Sequence, residues 1–263
     1  MTIVKIGLAT RALGQPLRRA LATAAELGAD GVEIDLRTEL PLADLSQSGV
    51  RQFRKLLEDQ NLRLAAATYP TRRGYEEPAE LDRRLQGTRQ AMRLAAQLGA
   101  RVLVGRAYGE LPEEGSPRRD ALMQALESLA HEGNRVGAQF TALTTSVPVE
   151  ELASVLGELP DGTIGVALDP ARLLESNQSP LDALEHLGQY VSYVQANDAV
   201  RDFGASRTVP VQLGRGSADL PAIVASLDAR DYAGWFTVDR SETGDPKGEL
   251  GAAVEYLRSL AMG

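Results

Sequence analysis

Short runs of apolar and β-branched residues recur along the chain, and each is followed by a segment with helical spacing. In these segments apolar residues recur three and four positions apart, as in Leu17, Leu21 and Ala24, which is typical of a helix face packed on a sheet. The predicted strands are Val4–Ala9, Gly31–Leu36, Leu62–Ala67, Arg101–Gly105, Gly137–Leu143, Ile164–Asp169, Val191–Asn197 and Gly234–Asp239. Eight consecutive strand and helix units predict an α/β fold, a single (β/α)8 TIM barrel.

The connections between these units favour a parallel sheet. Gly28 and Gly99 each follow a helical segment, where a glycine suits the left-handed C-cap, and the next strand begins two or three residues later. A doubly wound sheet would need a Gly-rich phosphate turn after the first strand, which residues 9–14 do not supply. Capping residues that precede a helical segment predict helix starts at Ser46, Ser116, Ser179 and Asp219.

Length and composition agree with one barrel domain over residues 1–263. The chain has a mass of 28.2 kDa, with 43% hydrophobic and 24% charged residues, which are ordinary values for a globular protein. It has no cysteine, which excludes disulfides, thiolate zinc sites and cysteine nucleophiles. A homodimer is compatible with this size, although no apolar patch in the sequence is diagnostic of one.

Charge and hydropathy limit the classes of binding partner that we expect. The net charge of -8 and the pI near 5.0 argue against nucleic acid, whose binding depends mainly on clustered Lys and Arg. No stretch approaches the roughly 18 apolar residues of a membrane helix, so no membrane association is expected. The first ten residues lead directly into a strand and do not resemble a signal peptide. We therefore expect a cytoplasmic protein.

Polar side chains cluster where the predicted strands end. The active site of such a barrel lies at the carboxyl ends of its strands, so these side chains should surround one opening. They are Glu33, Asp35, Arg37, Thr68, Tyr69, Arg106, Tyr108, Thr144, Thr145, Asp169, Arg172, Gln195, Asn197, Asp198, Arg201, Asp239 and Arg240. This mixture of carboxylates, guanidinium groups and amides suits a polyhydroxylated or anionic small molecule, such as a small-molecule carbohydrate.

Four segments carry a family resemblance: residues 164–171, 193–198, 213–219 and 232–239. In this order they resemble the signatures of the xylose isomerase-like barrel superfamily, and more narrowly its bacterial sugar phosphate isomerases or epimerases. The resemblance covers nearly the whole chain and is strongest after Gly137. It implies isomerisation or epimerisation of a sugar or sugar phosphate.

The resemblance also implies a divalent metal, held in the family by Glu, Asp, His and Glu at the ends of strands five to eight. The corresponding residues are Thr144, Asp169, Gln195 and Asp239, so only Asp169 keeps the family's residue type. Asp169 and Asp239 would be the remaining metal ligands. Such a degenerate site would hold a hard ion such as Mn or Mg, or Co, weakly or not at all. Both histidines, in segments predicted to form outer helices, are expected on the surface.

The same correspondence assigns roles. Asp239 would act as the residual catalytic base, because isomerases of this family use carboxylates to move a proton next to a carbonyl. Arg201, six residues after Gln195, falls where many epimerases of the family keep a substrate-binding arginine. The predicted substrate-binding residues are Glu33, Arg106, Thr144, Arg172, Gln195 and Arg201.

Two alternatives remain open. Glu33 should point into the barrel, where a charge needs a partner, so a structural role is as well supported as a site role. Arg172 and Arg106 could equally pair with Asp169 or Asp239 and so fill the space of a metal. The protein would then be a non-catalytic sugar-acid or sugar-phosphate binding protein instead of an isomerase.

Overall fold

Eight parallel strands close into a barrel. The structure, a computed structural model, describes residues 4–40, 46–144, 147–202, 207–240 and 243–260. The barrel strands are β1 Lys5–Ala9, β2 Gly31–Asp35, β3 Arg63–Thr68, β4 Val102–Gly105, β5 Gln139–Leu143, β6 Ile164–Leu168, β7 Val191–Gln195 and β10 Trp235–Val238. Around the barrel they are paired in the order β1, β10, β7, β6, β5, β4, β3, β2. The predicted barrel is confirmed, and each strand lies within the predicted region to within about two residues at either end.

Helices follow the barrel strands and bury their apolar faces. They are α1 Leu17–Glu26, α2 Gln47–Asp59, α3 Leu81–Leu98, α4 Pro117–Val136, α5 Val149–Gly157, α6 Pro170–Glu175, α7 Pro180–Leu187, α8 Leu220–Asp228 and α9 Pro246–Leu260. Short 3-10 turns cover Thr10–Leu13 and Gly188–Tyr190. Among these described helices, none has both the length and the apolar character required to cross a bilayer.

The predicted helix starts and glycine turns are confirmed. The capping side chains of α2, α4, α7 and α8 each accept a hydrogen bond from the backbone N–H three residues later. Gly28 and Gly99 adopt φ angles of 79° and 99°, where a side chain would be strained. These turns place each following strand in parallel register.

The first and last barrel strands close the barrel. β1 pairs with β10 in parallel register, from Lys5 opposite Trp235 to Leu8 opposite Val238. The residues that follow β1 therefore lie beside those that follow β10. This adjacency brings Arg11, in the turn after β1, next to Asp239 at the end of β10.

A two-stranded antiparallel hairpin follows β7 and was not predicted. It consists of β8 Asp198–Asp202 and β9 Arg207–Val211, and β8 packs against α6. Sequence analysis assigned Asp198 and Arg201 to the polar residues that follow strand seven. The hairpin has no long apolar run, and Pro210 in β9 removes a ladder donor, which is why strand patterning missed it.

Asp198 fixes the loop that follows the hairpin. Its carboxylate accepts backbone N–H bonds from Ala199, Gly214, Gly216 and Ala218, at 2.8 to 3.1 Å. A buried carboxylate satisfied by backbone donors in this way serves as a loop anchor.

Candidate active site

A pocket of about 720 Å³ opens at the carboxyl ends of the barrel strands, a volume within the range of small-molecule sites. Five of the predicted site residues line it: Arg106, Asp169, Arg172, Gln195 and Asp239. The end-of-strand rule therefore places these polar side chains around a common space.

Glu33 lies beneath the pocket with its side chain fully buried. The register between β2 and β3 shifts between Val32 and Glu33, the kind of irregularity that re-aims a side chain. One carboxylate oxygen, Oε2, accepts the Tyr193 hydroxyl at 2.7 Å and the Gln195 amide at 3.5 Å. Burial raises the pKa of Glu33, although the neighbouring charge of Arg11 opposes this shift. The expectation that a charge inside the barrel needs partners is confirmed.

Arg11 supplies the charged partner. Its Nη1 lies 2.8 Å from Glu33 Oε1 and 3.4 Å from Thr68 Oγ1, and its Nη2 lies 2.5 Å from Asp239 Oδ2. The side chain is 31% exposed and lines the pocket. Burial by itself would lower the pKa of Arg11, but the charges of Glu33 and Asp239 outweigh burial and raise it.

Arg11 is not among the site residues predicted from the sequence, where the end of the first strand serves only to test for a phosphate turn. The same rule that selected the ends of strands two to eight would have selected it, since Arg11 follows Ala9 by two residues. Tyr193 was also missed. Tyr193 and Gln195 lie two positions apart on β7, and this spacing puts both side chains on the same face of the strand.

Asp169 caps the short helix α6 and anchors a polar chain across three strand ends. Its Oδ1 accepts the Arg172 backbone N–H at 3.2 Å, and its Oδ2 accepts the Asn197 amide at 3.3 Å. The guanidinium of Arg172 lies 3.4 Å from the same Oδ2. Asn197 in turn accepts the backbone N–H of Asp239 at 3.2 Å. Burial raises the pKa of Asp169 to about 6.

The two oxygens of Asp239 differ in their surroundings. Oδ2 is paired with Arg11, whereas Oδ1 is buried and has no hydrogen-bond partner among the described residues. A buried carboxylate oxygen without a donor is unusual in a folded protein, and a catalytic role is one explanation for it. Asp239 lines the pocket, and Oδ1 is its one oxygen that no described residue engages.

The remaining predicted residues lie in different surroundings. Thr144 does not line the main pocket; its hydroxyl donates to the Ala167 carbonyl at 3.3 Å and accepts the Asp169 N–H at 3.0 Å. Arg201 lies on β8, outside the residues that line the pocket, and its Nη1 donates to Asn177 Oδ1 at 2.6 Å. Thr145 lies outside the described residues.

The two predicted arginines of the pocket differ in their contacts. Arg172 pairs with Asp169, one of the two roles that sequence analysis left open for it. Arg106 lines the pocket with an exposed side chain and forms no ion pair within the described ranges. The ion pair with Asp239 is made by Arg11 instead.

The donor set does not fit the four-ligand metal centre that the resemblance implies. In the part of the chain that the structure describes, no three Asp, Glu or His side chains are grouped as metal ligands. Three of the four carboxylate oxygens that would bind a cation, both of Asp169 and Oδ2 of Asp239, already contact Arg11, Arg172 or Asn197, and the Gln195 amide contacts Glu33. His131 and His186 lie exposed on α4 and α7, as predicted.

A sequence-family model described as xylose isomerase-like TIM barrel matches residues 21–260. No curated protein matches this sequence. Among solved structures, a xylose isomerase domain protein from Planctomyces limnophilus is 20% identical, with 98% of each chain covered and a TM-score of 0.83.

Two further solved structures share the fold. A xylose isomerase-like TIM barrel protein from Mycobacterium smegmatis, in complex with magnesium, is 18% identical, with a TM-score of 0.78; the match covers 93% of this chain and 87% of that one. D-allulose 3-epimerase from Methylomonas sp. is 20% identical over 98% of each chain, with a TM-score of 0.76. At these identities the likeness shows the fold, and the chemistry has to be argued from the residues of this pocket.

Proposed function

Because the chain belongs to the xylose isomerase-like TIM barrel family, we propose that its pocket binds a small sugar or sugar phosphate and isomerises or epimerises it. The observation that carries this proposal is the placement of two acidic side chains on one pocket. Asp169 and Asp239 both line it and are connected through Asn197. That a structural neighbour is a D-allulose 3-epimerase supports the substrate class.

The proposed chemistry is proton transfer next to a carbonyl group. Asp239 takes a proton from the carbon beside the carbonyl through Oδ1, the buried oxygen that has no donor among the described residues. The electrons of the broken C–H bond form a C=C bond, and the carbonyl oxygen becomes negatively charged. Return of a proton to the opposite face of the same carbon, as the enolate electrons form the carbonyl again, gives the epimer. For the isomer, the former carbonyl oxygen gains a proton, the hydroxyl on the neighbouring carbon loses its proton to become the new carbonyl, and a proton is added to the former carbonyl carbon. Asp169 is the second acid–base group.

Two exposed guanidinium groups support binding of a phosphorylated sugar. Arg106 and Arg172 line the pocket, and their side chains are accessible. Guanidinium groups bind phosphate through two parallel hydrogen bonds, which favours arginine at such positions. Arg201 and Thr144 stay predicted substrate-binding residues, although neither side chain lines the pocket.

Deuterium exchange tests the proposal directly. The protein is incubated in D₂O with ketoses, aldoses and their phosphates, and NMR follows deuterium entering the carbon beside the carbonyl. We expect exchange with at least one sugar, and we expect Asp239→Asn to slow it by about 10²- to 10⁴-fold. Glu185→Gln, an exposed change on α7, is the matched control and should exchange at the wild-type rate.

A non-catalytic binding protein is the second candidate, and a specific observation favours it. Arg11 already occupies one oxygen of Asp239, and both oxygens of Asp169 have partners. In that case a sugar would bind, as seen by calorimetry, and no deuterium would enter it. Binding without exchange across the sugar panel would contradict the enzymatic proposal and support this one.

A further inference from the structure

We propose that the Arg11 guanidinium is the resident cation of the pocket, taking the electrostatic role that a divalent metal has in the family. Arg11 would bind the substrate oxygen that becomes negatively charged. The substrate part of this inference rests on the proposed function. Its charge part concerns only the chain and can be tested without any sugar.

The position of Arg11 is the first support. It reaches from the turn after β1 to carboxylates at β2 and β10, with contacts of 2.8 Å to Glu33 and 2.5 Å to Asp239. These are the acidic groups that converge under the pocket, and both face the same guanidinium. A divalent ion that used Asp239 Oδ2 would have to displace Arg11 from it.

The charge count is the second support. An arginine side chain in a protein is always protonated, so its positive charge cannot be removed by a proton shift. A divalent ion placed against the same carboxylates would lie within a few ångströms of that charge, where repulsion at low dielectric is strong. The pair of carboxylates thus has its cation already, and it is covalently attached.

The remaining donors of Arg11 are the third support. A guanidinium has five N–H donors. Nη1 of Arg11 donates to Thr68 and Nη2 donates to Asp239, whereas the contact of Nη1 with Glu33 Oε1 is an ion pair without hydrogen-bond geometry. Nε has no partner among the described residues, and the side chain is 31% exposed in the pocket. Fixed donors aimed at an oxygen that gains negative charge stabilise the transition state without reorganisation.

A manganese titration of chelator-treated protein tests this inference. Free Mn²⁺ is measured by its electron paramagnetic resonance signal, and binding is repeated by calorimetry. We expect wild type to leave Mn²⁺ free. Arg11→Met removes the guanidinium and leaves Glu33 and Asp239 without a cation, so it should bind one Mn²⁺ at least about tenfold more tightly than wild type.

Three controls separate charge from general damage. Arg11→Lys keeps the charge and loses the planar fork, so it should not gain Mn²⁺ binding. Arg63→Met removes an exposed guanidinium at the start of β3, outside the residues that line the pocket, and its Mn²⁺ titration should match that of wild type. Because loss of Arg11 also destabilises the fold, the melting temperature of Arg11→Met is measured as well, and Mn²⁺ should raise it while leaving that of wild type unchanged.

The outcomes distinguish this inference from the proposed function. If wild type binds one equivalent of Mn²⁺, or if Arg11→Met binds Mn²⁺ no more tightly than wild type, the inference that Arg11 is the resident cation is overturned. If wild type exchanges deuterium into a sugar in the presence of chelator, and Arg11→Lys does so more slowly, the inference is supported. Sugar exchange that needs added Mn²⁺ overturns it and leaves the proposed function intact. Absence of any sugar binding refutes the proposed function, while the Mn²⁺ titration still decides where the cation lies.

Discussion

Two ionic clusters in this barrel have mirrored compositions. On the outer ring, Glu132 of α4 lies between two arginines, Arg93 of α3 and Arg135 of α4. At the mouth of the barrel, Arg11 lies between two carboxylates, Glu33 and Asp239. The outer cluster has an excess of positive charge and the inner cluster an excess of negative charge.

The pKa values of Glu132 and Glu33 are shifted in opposite directions. Both oxygens of Glu132 accept guanidinium N–H bonds, at 2.6 to 3.4 Å, and those from Arg93 above all lower its pKa to about 2. Burial raises the pKa of Glu33, and the single arginine only offsets part of this. The outer cluster is therefore saturated and contributes stability, whereas the inner cluster keeps acceptors that a ligand can use.

Removal of the inner cation should have the largest effect. We expect Arg11→Met to lower the free energy of unfolding by about 3 kcal/mol, because it leaves a buried carboxylate without its cation. The matched outer variant, Arg93→Met, leaves Glu132 with Arg135 and should cost about 1 kcal/mol or less. Urea denaturation at neutral pH in the presence of chelator measures both. Equal losses would mean that the two clusters do not differ as described.

The next effect concerns the pH dependence of stability at Asp169. Its folded pKa of about 6 is higher than the ordinary value of roughly 3.9, so the folded state binds the proton more tightly. The resulting stabilisation is complete below pH ~3.9 and is lost as the pH rises through about 6, a change of about 3 kcal/mol. Urea midpoints of wild type and Asp169→Asn across this window should diverge. Parallel curves would exclude the raised pKa.

At Glu132 the free energy of unfolding should change with pH in the opposite direction, and at lower pH. Because the folded pKa of Glu132 is about 2, its stabilisation is present above the unfolded value of about 4.3 and lost as the pH falls towards 2. Glu132→Gln should cost about 1 to 2 kcal/mol at neutral pH and flatten the curve below pH ~4.3. Glu26→Gln, in an exposed pair with Lys247, is the control and should change nothing measurable. A Glu132→Gln curve as steep as that of wild type would contradict the assignment.

The smallest effect is expected at Glu33. Glu33→Gln removes a charge that is costly to bury and keeps an oxygen for the Tyr193 hydroxyl, so the free energy of unfolding should change by less than about 1 kcal/mol. Chemical denaturation beside wild type measures the change. A loss of about 1 to 2 kcal/mol or more would show that ionised Glu33 stabilises the fold as Glu132 does, and the comparison would fail.

The fold could be predicted from the sequence because its signals are local. Helical spacing, caps such as Ser116 and turns such as Gly28 each depend on a few neighbouring residues. The hairpin of β8 and β9 was not predicted because each strand has only five residues and β9 contains Pro210. Without a buried apolar face of its own, such a hairpin gives little strand signal.

The site could be predicted only in part because side-chain pairing depends on barrel closure. The ends of the strands identified Asp169, Asp239 and Gln195 as neighbours of one pocket. No local pattern shows that Arg11 pairs with Asp239, since the two residues are 228 positions apart in the chain. Whether the Thr144 hydroxyl faces the pocket or the backbone also depends on atomic geometry, which spacing does not encode.

The closure of the barrel by its first and last strands has a consequence for biosynthesis. A nascent chain that has not yet emerged as far as β10 contains Arg11 and Glu33 but lacks Asp239, as well as the strand that pairs with β1 and β7. Synthesis must therefore proceed past β10 before Arg11 can bind both Glu33 and Asp239. Completion of the sheet and assembly of its charged centre become a single event in folding, so any truncation that removes β10 and the residues after it removes both together.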